Sequence, residues 1–161
     1  MKNAAKISQK YRVECHDRLG NLKWVEGFDN LVVTVGLNEY LNATLAAQTQ
    51  HTAWYVGLKG TGTVVNGDTL ASHAGWSEIN PYSGDRPAWT PGAVSGGSVD
   101  NSASKAVYSI TAALTVYGAF MCTAASGTSG VLLGAGDFGT PRAVEIGDTL
   151  SVTVTCSITA S

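Results

Sequence analysis

Hydrophobic and polar residues alternate one for one at the end of this chain. Leu150, Val152, Val154, Cys156 and Ile158 are separated by Ser151, Thr153, Thr155 and Ser157. A period of two with one apolar and one hydroxylated face predicts a strand buried on one side. Gly147-Asp148 supplies the turn that starts it. A second alternation, Ala106, Tyr108, Ile110, Ala112, Leu114 and Val116, predicts another strand. Further strands are expected over 117–125 and 131–134, separated by a Ser/Gly-rich turn at 126–130, with a short one at 142–146.

The first third reads as a hairpin. Tyr11, Val13 and Cys15 alternate with Arg12, Glu14 and His16, the turn Asp17-Arg-Leu-Gly-Asn21 follows, and Leu22 to Phe28 returns. Leu31-Val-Val33 continues as a short strand. The one helix expected spans 35–47, with Thr34 as N-cap and Leu37, Tyr40, Leu41, Thr44 and Leu45 as its inner stripe. Trp54 to Leu58 reads as a core strand. Short antiparallel strands with tight connections predict a mainly β protein, a sandwich or a barrel. The expected fold is an antiparallel β-sandwich, jelly-roll or Ig-like, over 11–161, with one short helix near 35–47 and residues 1–10 as a flexible arm.

The stretch 71–110 fits no period except at its end. It holds three of the four prolines (Pro81, Pro87, Pro91) and two of the four tryptophans (Trp76, Trp89). Long irregular segments are functional or disordered, and disordered ones are poor in aromatics. This one carries Trp76, Tyr82, Trp89 and Tyr108, so residues 71–103 are expected as an ordered surface loop. Trp, Tyr and Arg are the residue types enriched at interface anchors, and prolines lower the entropy cost of docking. Trp76, Tyr82, Arg86 and Trp89 are therefore candidate partner contacts. Tyr82 and Arg86 are expected to be exposed, whereas the tryptophans fit equally well as caps on their own sandwich.

Composition narrows the classes. Charged residues are 14% of the chain, against about 25% in ordinary globular proteins. A hydroxyl-rich surface of low charge suits either a face covered by other protein or an ordinary secreted β domain. The net charge of −2 argues against a dedicated nucleic-acid binder. Residues 106–136 carry no charge, but seven Ser and Thr residues there argue against a membrane span. Lys2, Lys6 and Lys10 make the amino-terminal end basic and are candidates for a partner-binding arm that orders on docking. The first ten residues lack the apolar core of a signal peptide. Cys15, Cys122 and Cys156 are odd in number and lack metal-ligand spacing, so free buried thiols and a reducing compartment are expected.

No catalytic constellation stands out. Gly134-Ala-Gly-Asp-Phe-Gly139 matches the dinucleotide fingerprint by letter, but no βαβ unit surrounds it. His16, His51 and His73 have no partner at metal-pair spacing. Glu78 and Asp85 flank the aromatic segment, and a glycosidase would need such carboxylates to face each other. Gly-Asp-Thr-Leu occurs at 67–70 and 147–150, where Gly-Asp is turn chemistry. No catalytic residue, cofactor or metal is expected, and an enzyme is disfavoured.

Several stretches together resemble a family of small virion proteins from tailed bacteriophages. They are Asn30-Leu-Val-Val33 with Gly36-Leu-Asn38, Trp54-Tyr-Val-Gly-Leu58, Gly67-Asp-Thr69, Ala71-Ser-His-Ala-Gly-Trp76 and Arg86-Pro-Ala-Trp89. Ser98-Val-Asp-Asn-Ser-Ala-Ser-Lys-Ala106, Gly118-Ala-Phe120 and Gly147-Asp-Thr-Leu150 complete the set, which covers about 30–155. Members of that family resemble capsid decoration or cement proteins. The resemblance implies a β-sandwich on the outside of an icosahedral shell, often a homotrimer at local threefold positions, with the major capsid protein as partner. It implies a virion protein assembled in the host cytoplasm and carries over no catalytic residue. A tail, baseplate or fibre-attachment protein, or a carbohydrate-binding β module, is the alternative.

Overall fold

β1 (Ala5–His16) and β11 (Thr149–Ala160) pair antiparallel along their whole lengths, from Ala5 opposite Ala160 to His16 opposite Thr149. This is the centre of the first sheet in the computed structural model, which describes residues 4–160. The alternation predicted for both strands sets their faces. Tyr11, Val13, Cys15, Leu150, Val152 and Val154 are buried, and the even-numbered residues of β1 face outward against the hydroxyl row of β11.

β2 (Leu22–Asp29) returns antiparallel beside β1. The turn between them is held by Asp17, whose Oδ1 accepts the amides of Leu19 and Asn21 at 2.8 and 2.9 Å. On the other edge of β11, β7 (Ser98–Asp100) covers residues 155–157 and β8 (Ala106–Ser109) covers 149–152.

The second sheet runs β3 (Leu31–Val32), β10 (Leu132–Val144), β9 (Leu114–Cys122), β4 (Trp54–Gly62) and β5 (Trp76–Ile79). β6 (Ala88–Trp89) also pairs with β4. The two antiparallel sheets pack face to face as a β-sandwich. Val56, Leu58, Val116, Met121, Leu133 and Phe138 meet the inner residues of the first sheet. A smaller apolar cluster lies around Val33, Leu70, Trp76, Phe120, Cys122, Leu132 and Ala135. Gly57 makes room for the Phe120 ring, which a Cβ there would strike.

Four expectations change. The alternation over 106–116 is not one strand. β8 ends at Ser109, the Thr111 and Ala112 amides donate to the Pro81 carbonyl, and the chain crosses to the second sheet as β9. Ala112 and Leu114 are exposed at the crossing, and Val116 is buried again. The strands expected at 131–134 and 142–146 are one strand, β10, with its register against β9 shifting between Asp137 and Arg142. Its Gly134–Gly139 run is strand, so the fingerprint letters open no helix. The segment 71–103 is not one loop, because it contains β5, β6 and β7 and edges both sheets in turn. Finally, residues 5–10, expected within an arm, form the first half of β1, because the whole of β11 is available to pair them.

The helix α1 (Thr34–Thr44) also differs from expectation. Its N-cap is Val33 without a side-chain cap bond, and Thr34 is the first helical residue, its amide donating to the Asn66 carbonyl. The leucines do not form the inner stripe. Gly36 and Glu39 are buried, whereas Leu37, Leu41 and Leu45 are 39%, 53% and 80% exposed. Gly36 decides this, because it lies against the Leu133 carbonyl of β10, where a Cβ would overlap the backbone. The close seat of a glycine turns Gly36, Glu39, Tyr40 and Ala43 inward and the leucine row outward. Among the described residues no helix is long and apolar enough to cross a membrane.

Candidate functional site

The irregular segment buries its aromatic residues, Tyr82 and Trp89 in the core between the sheets and Trp76 in the smaller cluster around Phe120. The Trp76 indole donates to Asp68 Oδ2 at 2.9 Å, stacks on His73 and packs against Phe120. The Trp89 indole donates to the Val154 carbonyl across the core at 3.1 Å. Tyr82 meets Tyr108 edge-on and bridges Ile110. Arg86 is buried, with Nε and Nη2 each 2.7 Å from the Glu78 carboxylate and further bonds to the carbonyls of Ala124 and Gly127. Tyr82 and Arg86, expected exposed, are buried because the two sheets need this segment's side chains to close their edges. Glu78 is committed to Arg86, so it does not form an acid pair with Asp85.

The lysines divide. Lys6 and Lys10 point outward from β1 and make no ion pair among the described residues. Beyond them, Arg12 and Lys105 both bind Glu14. Lys2 lies outside the described residues.

Both Gly-Asp-Thr-Leu copies are the same turn device. Asp68 Oδ2 accepts the Val65 amide and its own amide donates to the Val65 carbonyl. Asp148 does the same with Glu145. Each then buries the leucine two residues on, Leu70 or Leu150. Each carboxylate takes further donors, the Trp76 indole for Asp68, and the Lys23 ammonium at 2.7 Å and the Cys15 thiol at 3.6 Å for Asp148. Burial alone would raise the Asp148 carboxyl, but Lys23 and the Glu145 amide hold it below its ordinary value. The neighbouring Cys15 thiol is pushed up to about 12, first by burial and then by the Asp148 charge.

A cavity of about 240 Å³ opens between the sheets beside α1. Met121, Leu133 and the rings of Trp54 and Trp89 come from the second sheet, and Val99 and Cys156 from the first. Tyr40 and Ala43 of α1 lie over them. Behind its wall the buried Gln9 amide donates to Met121 Sδ and Cys156 Sγ at 3.5 and 3.4 Å. Burial raises both the Tyr40 hydroxyl and the Cys156 thiol, so both are neutral near pH 7. The polar part is Glu39, Thr44, Gln50 and His51. His51 Nδ1 meets Glu39 Oε1 at 2.5 Å, and the His51 ring lies edge-on to Trp54.

Sequence reasoning missed this site. Glu39 and His51 belong to no motif and are twelve residues apart. The available signal was the small residue Gly36, which sets Glu39 and Tyr40 on the same side of the helix.

Outside the cavity, Leu37 and Leu41 of α1 and its C-cap Leu45 form an exposed row at helical spacing. Val94 at 75% and Ile158 at 45% exposure add apolar surface near Tyr40, with which they line a shallow depression. No protein-family model matches the chain, and neither does any curated protein sequence.

Proposed function

We propose that this chain is a structural virion protein that binds the outer surface of a bacteriophage capsid and cements neighbouring capsomers. One observation carries the reading beyond the sequence resemblance: the exposed leucine row of α1, Leu37, Leu41 and Leu45. Exposed apolar surface of this kind marks an interaction site when it is contiguous. Lys6 and Lys10 add positive charge, without an ion pair among the described residues, on the outer face of the first sheet. No specific observation favours the carbohydrate-binding alternative, because Trp76 and Trp89 are buried and offer no stacking platform.

The test is binding of purified protein to expanded heads that lack it. Binding with a rise in the heads' disruption temperature is the expected result. A triple variant, Leu37→Gln, Leu41→Gln and Leu45→Gln, is expected to stay folded and to lose that binding. Wild-type protein that leaves such heads unbound refutes the reading. Equal binding by the triple variant removes α1 from the interface.

A further inference from the structure

We infer that the cavity beside α1 is a binding site for a small organic cation, an ammonium group carried on a single-ring apolar body. The inference is independent of the capsid reading. It rests on the match between what the cavity offers and what such a molecule presents.

Size sets the first limit. An apolar cavity of about 150 Å³ holds benzene. The space here is about 240 Å³, room for one ring and a short arm. It falls below the roughly 300–1,000 Å³ of drug-sized pockets.

Charge sets the second. Glu39 is the one carboxylate in the lining, and no lysine or arginine lines the cavity. The Glu39 side chain is 11% exposed. Its Oε1 is taken by His51, and its Oε2, with no hydrogen bond among the described residues, is not sealed from solvent. A carboxylate mostly withdrawn from water favours a further cationic partner at an oxygen still open. An ammonium would pair with that open oxygen, and an anionic ligand would be repelled by the carboxylate.

The remaining lining suits the same ligand. Tyr40, Trp54 and Trp89 contribute aromatic rings, and Met121 a polarisable sulfur. Aromatic faces attract cations, the more so where water is excluded, and thioether sulfur makes favourable contacts with ring edges. The ring of the ligand replaces water over Leu133 and Met121, and its ammonium arm lies toward Glu39.

The experiment titrates the labelled full chain with three probes of one shape: 2-phenylethylammonium, 2-phenylethanol and phenylacetate. The readout is the indole N–H resonances. Trp54 and Trp89 line the cavity, whereas Trp24 and Trp76 lie elsewhere and serve as internal controls. Saturable shifts at Trp54 and Trp89 are expected with the ammonium. Its affinity should exceed that of the alcohol at least tenfold, and phenylacetate should not bind. Glu39→Gln is expected to remove the preference for the ammonium over the alcohol. Ala43→Leu, which narrows the cavity while keeping the Glu39 carboxylate, is expected to abolish binding of both and serves if Glu39→Gln fails to fold. Absence of saturable shifts with every probe overturns the site. Equal affinity for alcohol and ammonium overturns its cation selectivity. Tighter binding of Nα-acetyl-lysinamide than of 2-phenylethylammonium overturns the small-molecule assignment in favour of a lysine from a partner protein.

Discussion

Arg86 and Glu78 form a two-bond fork, Nε to Oε1 and Nη2 to Oε2, both 2.7 Å long. The guanidinium is 4% exposed, and its remaining bonds go to backbone carbonyls of the turn after β9. The pair thus ties the irregular segment to the second sheet, with the Arg86 charge lying over the Phe120 ring.

Removing one partner of such a pair leaves a buried charge unanswered, which costs about 3–5 kcal/mol. Glu78 keeps some exposure, so Arg86→Ala is expected near the lower end, about 3 kcal/mol. Arg86→Lys should recover only part of this, because an ammonium does not reproduce the planar fork. Urea denaturation measures both, and a loss below about 0.5 kcal/mol for the alanine variant would show the fork to be dispensable.

Gly36→Ala tests the seat of α1. Alanine is the better helix former by about 1 kcal/mol, yet its Cβ would overlap the Leu133 carbonyl, a backbone atom that no rotamer change moves aside. Overpacking costs about 1–3 kcal/mol, so net destabilisation is expected. Gly139→Ala in β10, where a Cβ meets nothing within 4 Å, is the control and should shift the thermal midpoint little.

Acid should weaken the fold in part through Asp148. Its folded carboxyl titrates below the ordinary aspartate value, with burial outweighed by Lys23 and the Glu145 amide. A depressed folded value contributes stability that is present above the unfolded value of about 3.9. That contribution is lost as pH falls through the folded value. Asp148→Asn is therefore expected to cost about 1–3 kcal/mol at pH 7 and to flatten the decline below pH 4. Denaturant midpoints measured from pH 7 to pH 2 give both quantities, and an unchanged acid slope would exclude the Asp148 contribution.

Cys15, Cys122 and Cys156 are free and buried. Burial raises all three thiols, Cys15 to about 12 with help from Asp148. The thiolate is the reactive form, so a thiol reagent at pH 8 should label none in the native protein and three after unfolding. Rapid native labelling of any one would mean that its strand opens readily.

Strand periods were legible because alternation is a local property. From Tyr11 onward in β1 and throughout β11 every second residue is apolar, and each of Tyr11, Val13, Cys15, Leu150, Val152 and Val154 lies where that alternation puts it. The same alternation ran on past Ser109 although the strand did not. A residue facing the core from one sheet and a residue facing it from the other follow the same period, so the crossing from β8 to β9 leaves no break in the pattern.

The sequence by itself determined the two-faced strands and the Asp17, Asp68 and Asp148 turns, all set by neighbours within a few residues. Tertiary structure alone decided that Arg86 and Tyr82 are buried, that Lys6 and Lys10 ride on a strand, and that Glu39 meets His51 beside a cavity. It also turned three leucines of α1 toward solvent. Hydrophobicity ranks side chains by their transfer from water, but which side of a helix reaches the sheet depends on how closely the backbones can approach. Here that was set by one glycine, Gly36, against one carbonyl, that of Leu133.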